Sequence, residues 1–142
     1  MIRPVKKPPV NAPRPRYWDP AVETLSRKAL EQLQLERLQA TVRHVAQRVP
    51  FDQQKFAELS LTPKHIRSLV DLHRLPFTTS ADLRATYPRG MVAVGPDRLL
   101  RLHTSSGTTG KPKALFFSRR DVHNAAELMA RCLVMSGMTS ED

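Results

Sequence analysis

The 142 residues predict an α/β fold, a helical N-terminal segment followed by a strand–loop–strand–helix unit. Three observations carry that prediction. Leu35, Leu38, Val42, Val45 and Val49 recur at alternating three- and four-residue steps, the signature of an amphipathic helix. Leu99–Thr104 and Ala114–Phe117 read as short strands on either side of a Gly/Ser/Thr-rich stretch. Ser118 and Asp121 then stand at capping-box spacing, with Val122, Ala125, Ala126, Met129 and Leu133 on one helical face beyond them.

Taken in order, residues 1–16 form a basic, proline-rich tail. Pro4, Pro8, Pro9, Pro13 and Pro15 bar helices and sheet ladders, so a disordered or polyproline-like extension is expected. Residues 17–142 are expected to form one incomplete domain portion. Asp19-Pro20 signals a helix start carrying Val22, Leu25, Ala29 and Leu33 on one face. The Leu35–Val49 stripe makes a second helix, or the rest of a single bent one, that Pro50 ends. Short helices follow, started by Thr62-Pro63, by Ser68 with Asp71, and by Thr79 with Asp82. Arg89-Gly90 and Gly95-Pro96 read as turns, and Gly137 as the C-terminal cap of the last helix. No fixed repeat period is present, which excludes a solenoid.

Composition narrows the function classes. The hydrophobic share of 40% and charged share of 25% are ordinary for a globular domain. No run of 18 or more apolar residues and no secretory signal core occur. One cysteine, Cys132, fits a reducing cytoplasm, and on its helix it reads as a packed small side chain. The net charge of +10 invites a nucleic-acid reading, but Arg3, Lys6, Lys7, Arg14 and Arg16 of the tail supply half of it. No aromatic residue precedes Tyr17 to stack on bases, so specific nucleic-acid binding is not expected.

The stretch with chemistry in it is Ser105-Ser106-Gly107-Thr108-Thr109-Gly110-Lys111-Pro112-Lys113. A polyphosphate needs donors without bulk. Gly107 and Gly110 let the backbone approach and adopt positive φ. Ser105, Ser106, Thr108 and Thr109 offer hydroxyls, Lys111 and Lys113 offer positive charge, and successive amides in such a turn can form an anion nest. The Walker pattern is excluded, because only Thr108-Thr109 separate the glycines and Pro112 follows Lys111. The dinucleotide fingerprint is excluded by glycine number and by a strand, not a helix, following the loop.

All nine positions resemble the signature phosphate loop of the adenylate-forming superfamily. Tyr17-Trp18-Asp19-Pro20, Arg48-Val49-Pro50-Phe51, Leu75-Pro76-Phe77-Thr78-Thr79 with Asp82-Leu83-Arg84, and Tyr87-Pro88-Arg89-Gly90 further resemble the phenylacetate–CoA ligase family, in its order and spacing. Lys113 and Asp52 depart from it, standing where that branch often has threonine and an aromatic residue.

The resemblance implies the N-terminal part of the large domain of an adenylate-forming enzyme. It also implies a two-step reaction: ATP, with Mg²⁺, converts an aryl or arylalkyl carboxylate to an acyl-adenylate and pyrophosphate, and coenzyme A then forms the thioester. Ser105, Ser106, Gly107, Thr108, Thr109, Gly110, Lys111 and Lys113 would hold phosphates, with no loop residue needed as acid or base. Family members are several times longer, so the acyl pocket, the adenine and ribose contacts, the magnesium-binding acid and the mobile C-terminal domain cannot be placed on residues 1–142. The remaining C-terminal part of the ligase is the expected partner, and a homodimer stays open.

Two other readings remain: a non-catalytic nucleotide-binding or interaction fragment, and a related synthetase acting on another carboxylate. His103 beside the loop reads as structural, for lack of an orienting carboxylate. His44, His65, His73 and His123 lack metal-ligand spacing with Cys132 or each other. Ser105 lacks the context of a nucleophile. Tyr17 and Trp18 read as packing anchors. A small core and exposed apolar surface are expected.

Overall fold

The computed structural model describes residues 16–105 and 112–139. Among these residues two compact units emerge, one within 26–121 and one that joins 16–25 with 122–139. Each is a structure in its own right.

In the larger unit, α2 (Arg27–Arg48) is the main scaffold. Ser26 caps it, its hydroxyl accepting from the Ala29 amide at 3.3 Å. The expected continuity from Asp19 through Leu33 is therefore corrected. The helix begun by Asp19-Pro20 is only α1 (Pro20–Glu23), and the chain resets at Thr24–Ser26 before α2 starts. The Val22–Leu33 stripe spans a break.

Pro50 does end α2, yet it also occupies the first turn of α3 (Pro50–Glu58), a helix absent from the sequence expectation. Proline suits that position because its missing N–H has no intrahelical partner there. α3 ends in a Schellman turn: the Leu61 amide donates to Phe56 O at 2.8 Å and the Ser60 amide to Ala57 O at 3.0 Å. Ser60 takes φ of 49° to allow it.

That turn folds Leu61 back on Phe56, and both enter the core with Val42 and Ile66. Leu38, Val45, Ala46 and Leu75 pack around them. Gln39 ties the core rim together by donating from Nε2 to Ile66 O at 2.9 Å. Val49 is also buried, so most of the Leu35–Val49 stripe faces inward as its period requires.

The three start signals after residue 60 all operate. A 3-10 turn at Pro63–His65 follows Thr62, whose amide donates to His65 Nδ1 at 3.2 Å. A second, Leu69–Arg74, is opened by Ser68, whose amide and hydroxyl both donate to Asp71 Oδ2 at 2.9 Å. α4 (Ser80–Ala85) is opened by Thr79, whose amide and hydroxyl donate to Asp82 Oδ2 at 2.7 and 2.6 Å, while the Asp82 amide returns a bond to Thr79 Oγ1. After the cis Tyr87–Pro88 bond, the Gly90 amide donates to Thr86 O at 2.7 Å. A side chain on Gly90 would collide with Thr86 Cβ at 2.6 Å, so the close approach requires glycine. Another short 3-10 turn, Pro96–Arg98, leads into the sheet.

The sheet has two antiparallel strands, β1 (Leu99–Thr104) and β2 (Ala114–Ser118), paired Leu102↔Phe116, His103↔Leu115 and Thr104↔Ala114, with an irregularity between Leu99 and Arg101. Leu100, Leu102 and Leu115 are exposed on it. The Ser118 amide and hydroxyl donate to Asp121 Oδ2 at 2.8 and 2.7 Å, and α5 (Arg119–Met135) starts from that box.

In the smaller unit the Trp18–Glu23 segment is pinned to α5 by polar groups. Trp18 Nε1 donates to Glu127 Oε2 at 2.9 Å, and Arg131 reaches both Asp19 Oδ2 (3.5 Å) and Glu23 Oε1 (3.4 Å). Trp18, expected as a packing anchor, thus holds on by its ring N–H and stays 46% exposed.

Gly137, at φ 88°, closes α5 as expected. Its amide donates to Val134 O at 2.9 Å and that of Met138 to Leu133 O at 3.0 Å. The stripe on α5 is not a core: its Met129 and Leu133 are exposed, and so is Cys132, contrary to its expected packing. No helix among the described residues is long and apolar enough to cross a membrane.

Candidate functional site

Six of the predicted phosphate-loop residues, Ser106, Gly107, Thr108, Thr109, Gly110 and Lys111, lie outside the described residues. Ser105 and Lys113 are described, and they form the neck from which the loop departs. Beyond the last ladder pair, the Ser105 amide donates to Lys113 O at 3.1 Å. The Lys113 amide returns a bond to Ser105 Oγ at 2.9 Å. Two hydrogen bonds between one pair of residues fix the separation and orientation of the loop's two ends.

Ser105 therefore has a local task that its residue type alone did not reveal. Its oxygen accepts across the neck from the Lys113 amide, and a hydroxyl that accepts can still donate its own proton. A nucleophilic role is unsupported, since among the described residues no base contacts it.

An open cleft of about 290 Å³ lies at this neck, lined by Leu83 of α4, by His103, Thr104 and Ser105, and by Lys113 and Leu115. Across it Lys113 Nζ donates to Ser80 Oγ at 3.4 Å. Sequence reasoning missed Ser80 and Leu83 as neighbours of the loop. The Thr79/Asp82 box placed the start of α4, but nothing local pairs residue 80 with a lysine 33 positions later.

His103 packs its ring against Phe117, centroids 4.9 Å apart and tilted by 51°. Its backbone pairs with Leu115 in the ladder, and among the described residues its ring has no hydrogen-bond partner. Arg89 lies 5.9 Å over the Phe116 ring, a cation–π contact that ties the residue 86–90 turn to β2. His65 serves its capping box, and no group of three His, Cys, Asp or Glu able to hold a metal occurs among the described residues.

Charge around the site is set by local hydrogen bonds. The Thr79 hydroxyl and then its amide hold the Asp82 carboxyl below its ordinary value, with Lys55 adding to the effect. Asp82 is thus occupied as a cap and anchors the α4 end of the cleft. Asp71 is lowered by the Arg67 amide first, then by the hydroxyl and amide of Ser68. Asp52 goes the other way, raised by partial burial on α3.

The sequence matches phenylacetate–coenzyme A ligases, although no family model matches the chain. It is 44% identical over 120 residues to a phenylacetate–coenzyme A ligase of Thermus thermophilus, covering 84% of this chain and 27% of that protein. A phenylacetate–coenzyme A ligase of Aromatoleum evansii is 40% identical over 134 residues, 94% of this chain and 30% of the relative.

Among solved structures, a 2-hydroxyisobutyryl-CoA ligase in complex with 2-HIB-AMP and CoA superposes with a TM-score of 0.79 at 31% identity, covering 93% of this chain and 28% of that one. The expected fold, part of an adenylate-forming CoA ligase, is the observed one. Over the residues they share, the chain is similar to phenylacetate–CoA ligases, and it spans about 30% of the length of the relatives it matches.

Proposed function

We propose that this chain carries the ATP phosphate-binding loop of an acid–CoA ligase whose substrate is an aryl or arylalkyl carboxylate. The observation that supports it is the nine-residue Ser105–Lys113 loop, strung on a neck doubly hydrogen-bonded between its first and last residues. The identity of 40–44% to phenylacetate–coenzyme A ligases supports the same reaction class.

The physical task follows from the chemistry. A carboxylate is a poor electrophile, and adenylation turns one of its oxygens into a good leaving group. Ser105, Ser106, Thr108 and Thr109 would donate to phosphate oxygens, Gly107 and Gly110 would admit the backbone, and Lys111 and Lys113 would offset the growing charge on departing pyrophosphate. The neck holds the loop's ends in place while the segment between them engages and releases the phosphates. Mg²⁺ would accompany ATP as its usual counter-ion, and coenzyme A would enter the second step. The rest of the ligase polypeptide is the proposed partner, covering such exposed residues as Leu102, Leu115, Met129 and Leu133.

The test is MgATP binding to the 142-residue chain by calorimetry. Lys111→Ala should weaken it by about tenfold, the loss of one charge-assisted contact. An unchanged affinity would overturn the reading. Pyrophosphate release from ATP and phenylacetate by this chain alone is not expected.

A further inference from the structure

We propose that Ser80 is a positioning residue for Lys113, holding the cation at the loop's exit across the cleft, from where a polyphosphate draws it. The proposal rests on the phosphate-binding reading of the loop and names a residue outside it.

Both ends of the contact are fixed independently of each other. Lys113 has its backbone clamped to Ser105 by two hydrogen bonds, so its side chain leaves the neck in a set direction. Ser80 is the first residue of α4, whose start is fixed by the reciprocal bonds of Thr79 and Asp82. Leu83 and Leu115 line the cleft with Lys113, an apolar setting suited to the lysine's methylene stem, while the ammonium meets Ser80. There its partner is a neutral hydroxyl at 3.4 Å, and among the described residues no carboxylate pairs with it.

That choice of partner has a consequence. An ion pair would compete with an incoming anion, whereas a single hydroxyl aims the ammonium and releases it at small cost. Lys113 is thus kept at the cleft in the ligand-free chain and exchanges Ser80 for phosphate oxygens when a polyphosphate arrives. Loss of the Ser80 hydroxyl frees the side chain to wander.

Competitive acetylation of the full 142-residue chain, read lysine by lysine by mass spectrometry, tests this without requiring activity. Ser80→Ala should raise the rate at Lys113 by about two- to fivefold, the range of one exposed charge-assisted hydrogen bond. Ser80→Thr, which keeps the hydroxyl, should restore the wild-type rate, and Lys28 and Lys64 should be unaffected in both variants. An unchanged Lys113 rate in Ser80→Ala overturns the proposal, as does a rise at all three lysines, which would report loosening of the fold.

Inorganic tripolyphosphate supplies the second arm, since it should slow Lys113 acetylation by at least about threefold through charge pairing. Protection of Lys113 with no Ser80→Ala effect would leave the phosphate reading intact and refute the positioning. A Ser80→Ala effect without protection would do the reverse, removing the phosphate draw on Lys113 while leaving the aim of its side chain established.

Discussion

Replacing Ile66 by alanine removes three carbons from the most deeply buried side chain described, which is only 1% exposed among Val42, Phe56 and Leu61. At about 0.8 kcal/mol per buried methylene, the transfer loss is about 2.4 kcal/mol. The cavity adds on the order of 1 kcal/mol, because the clamp from Gln39 to the Ile66 carbonyl limits collapse of the surrounding backbone. A loss of about 3–4 kcal/mol is a large share of the 5–15 kcal/mol that holds a typical domain together. The melting temperature of a unit this size should drop by more than about 12 °C.

Far-UV circular dichroism with urea as denaturant is the suitable assay, since the helices of the larger unit dominate that signal and the single tryptophan belongs to the other one. Val70→Ala is the control, because Val70 is 76% exposed and its truncation should cost less than about 0.5 kcal/mol. If the two variants shift the urea midpoint equally, the Val42–Phe56–Leu61–Ile66 cluster is not the core of this unit.

The two left-handed caps should respond in opposite senses. Ser60→Gly should stabilise by roughly 0.5–1 kcal/mol by relieving a side chain at φ 49°, and Gly137→Ala should destabilise by a similar amount at φ 88°, both read as shifts in thermal midpoint. Acid titration should separate the carboxylates. Asp71 and Asp82 have values depressed below the usual 3.8, so their stabilisation is complete above that pH and is lost as pH falls through the lower folded values. Asp52 is raised above 3.8, so its contribution is present below that pH and disappears as pH rises through the folded value. Asp52→Asn should therefore leave stability at neutral pH unchanged or higher, and should not share the acid-range loss of stability that Asp71 and Asp82 produce.

What the sequence made legible was mostly local. The Ser68/Asp71, Thr79/Asp82 and Ser118/Asp121 boxes were readable because hydroxyl and carboxylate meet within one helical turn and need no other part of the chain. Pro50 was half read: its stop signal for α2 was taken, and its fitness for the first turn of α3 was not. The Val22–Leu33 stripe misled because a period of apolar residues survives an intervening break at Ser26. Periodicity also said nothing about what would cover the stripe on α5, whose Met129 and Leu133 remain exposed. At the site, residue types pointed to the loop's chemistry, but the second duty of Ser105 and the approach of Ser80 to Lys113 depend on contacts across 8 and 33 residues of chain.

The pairing of Trp18 with Glu127 bears on the order in which the chain acquires structure. These partners are 109 residues apart, and Arg131 grips Asp19 and Glu23 over a similar span. Closing so long a span demands more entropy than any other contact described, and its reward is one exposed hydrogen bond and two half-buried ion pairs. The helices of residues 26–121, rich in near-neighbour contacts, can form without it. Residues 17–25 must wait for α5 to be synthesised and helical before they have anything to hold. They should be the last segment to fold and the first to open, exchanging their amide hydrogens ahead of the α2–α3 core.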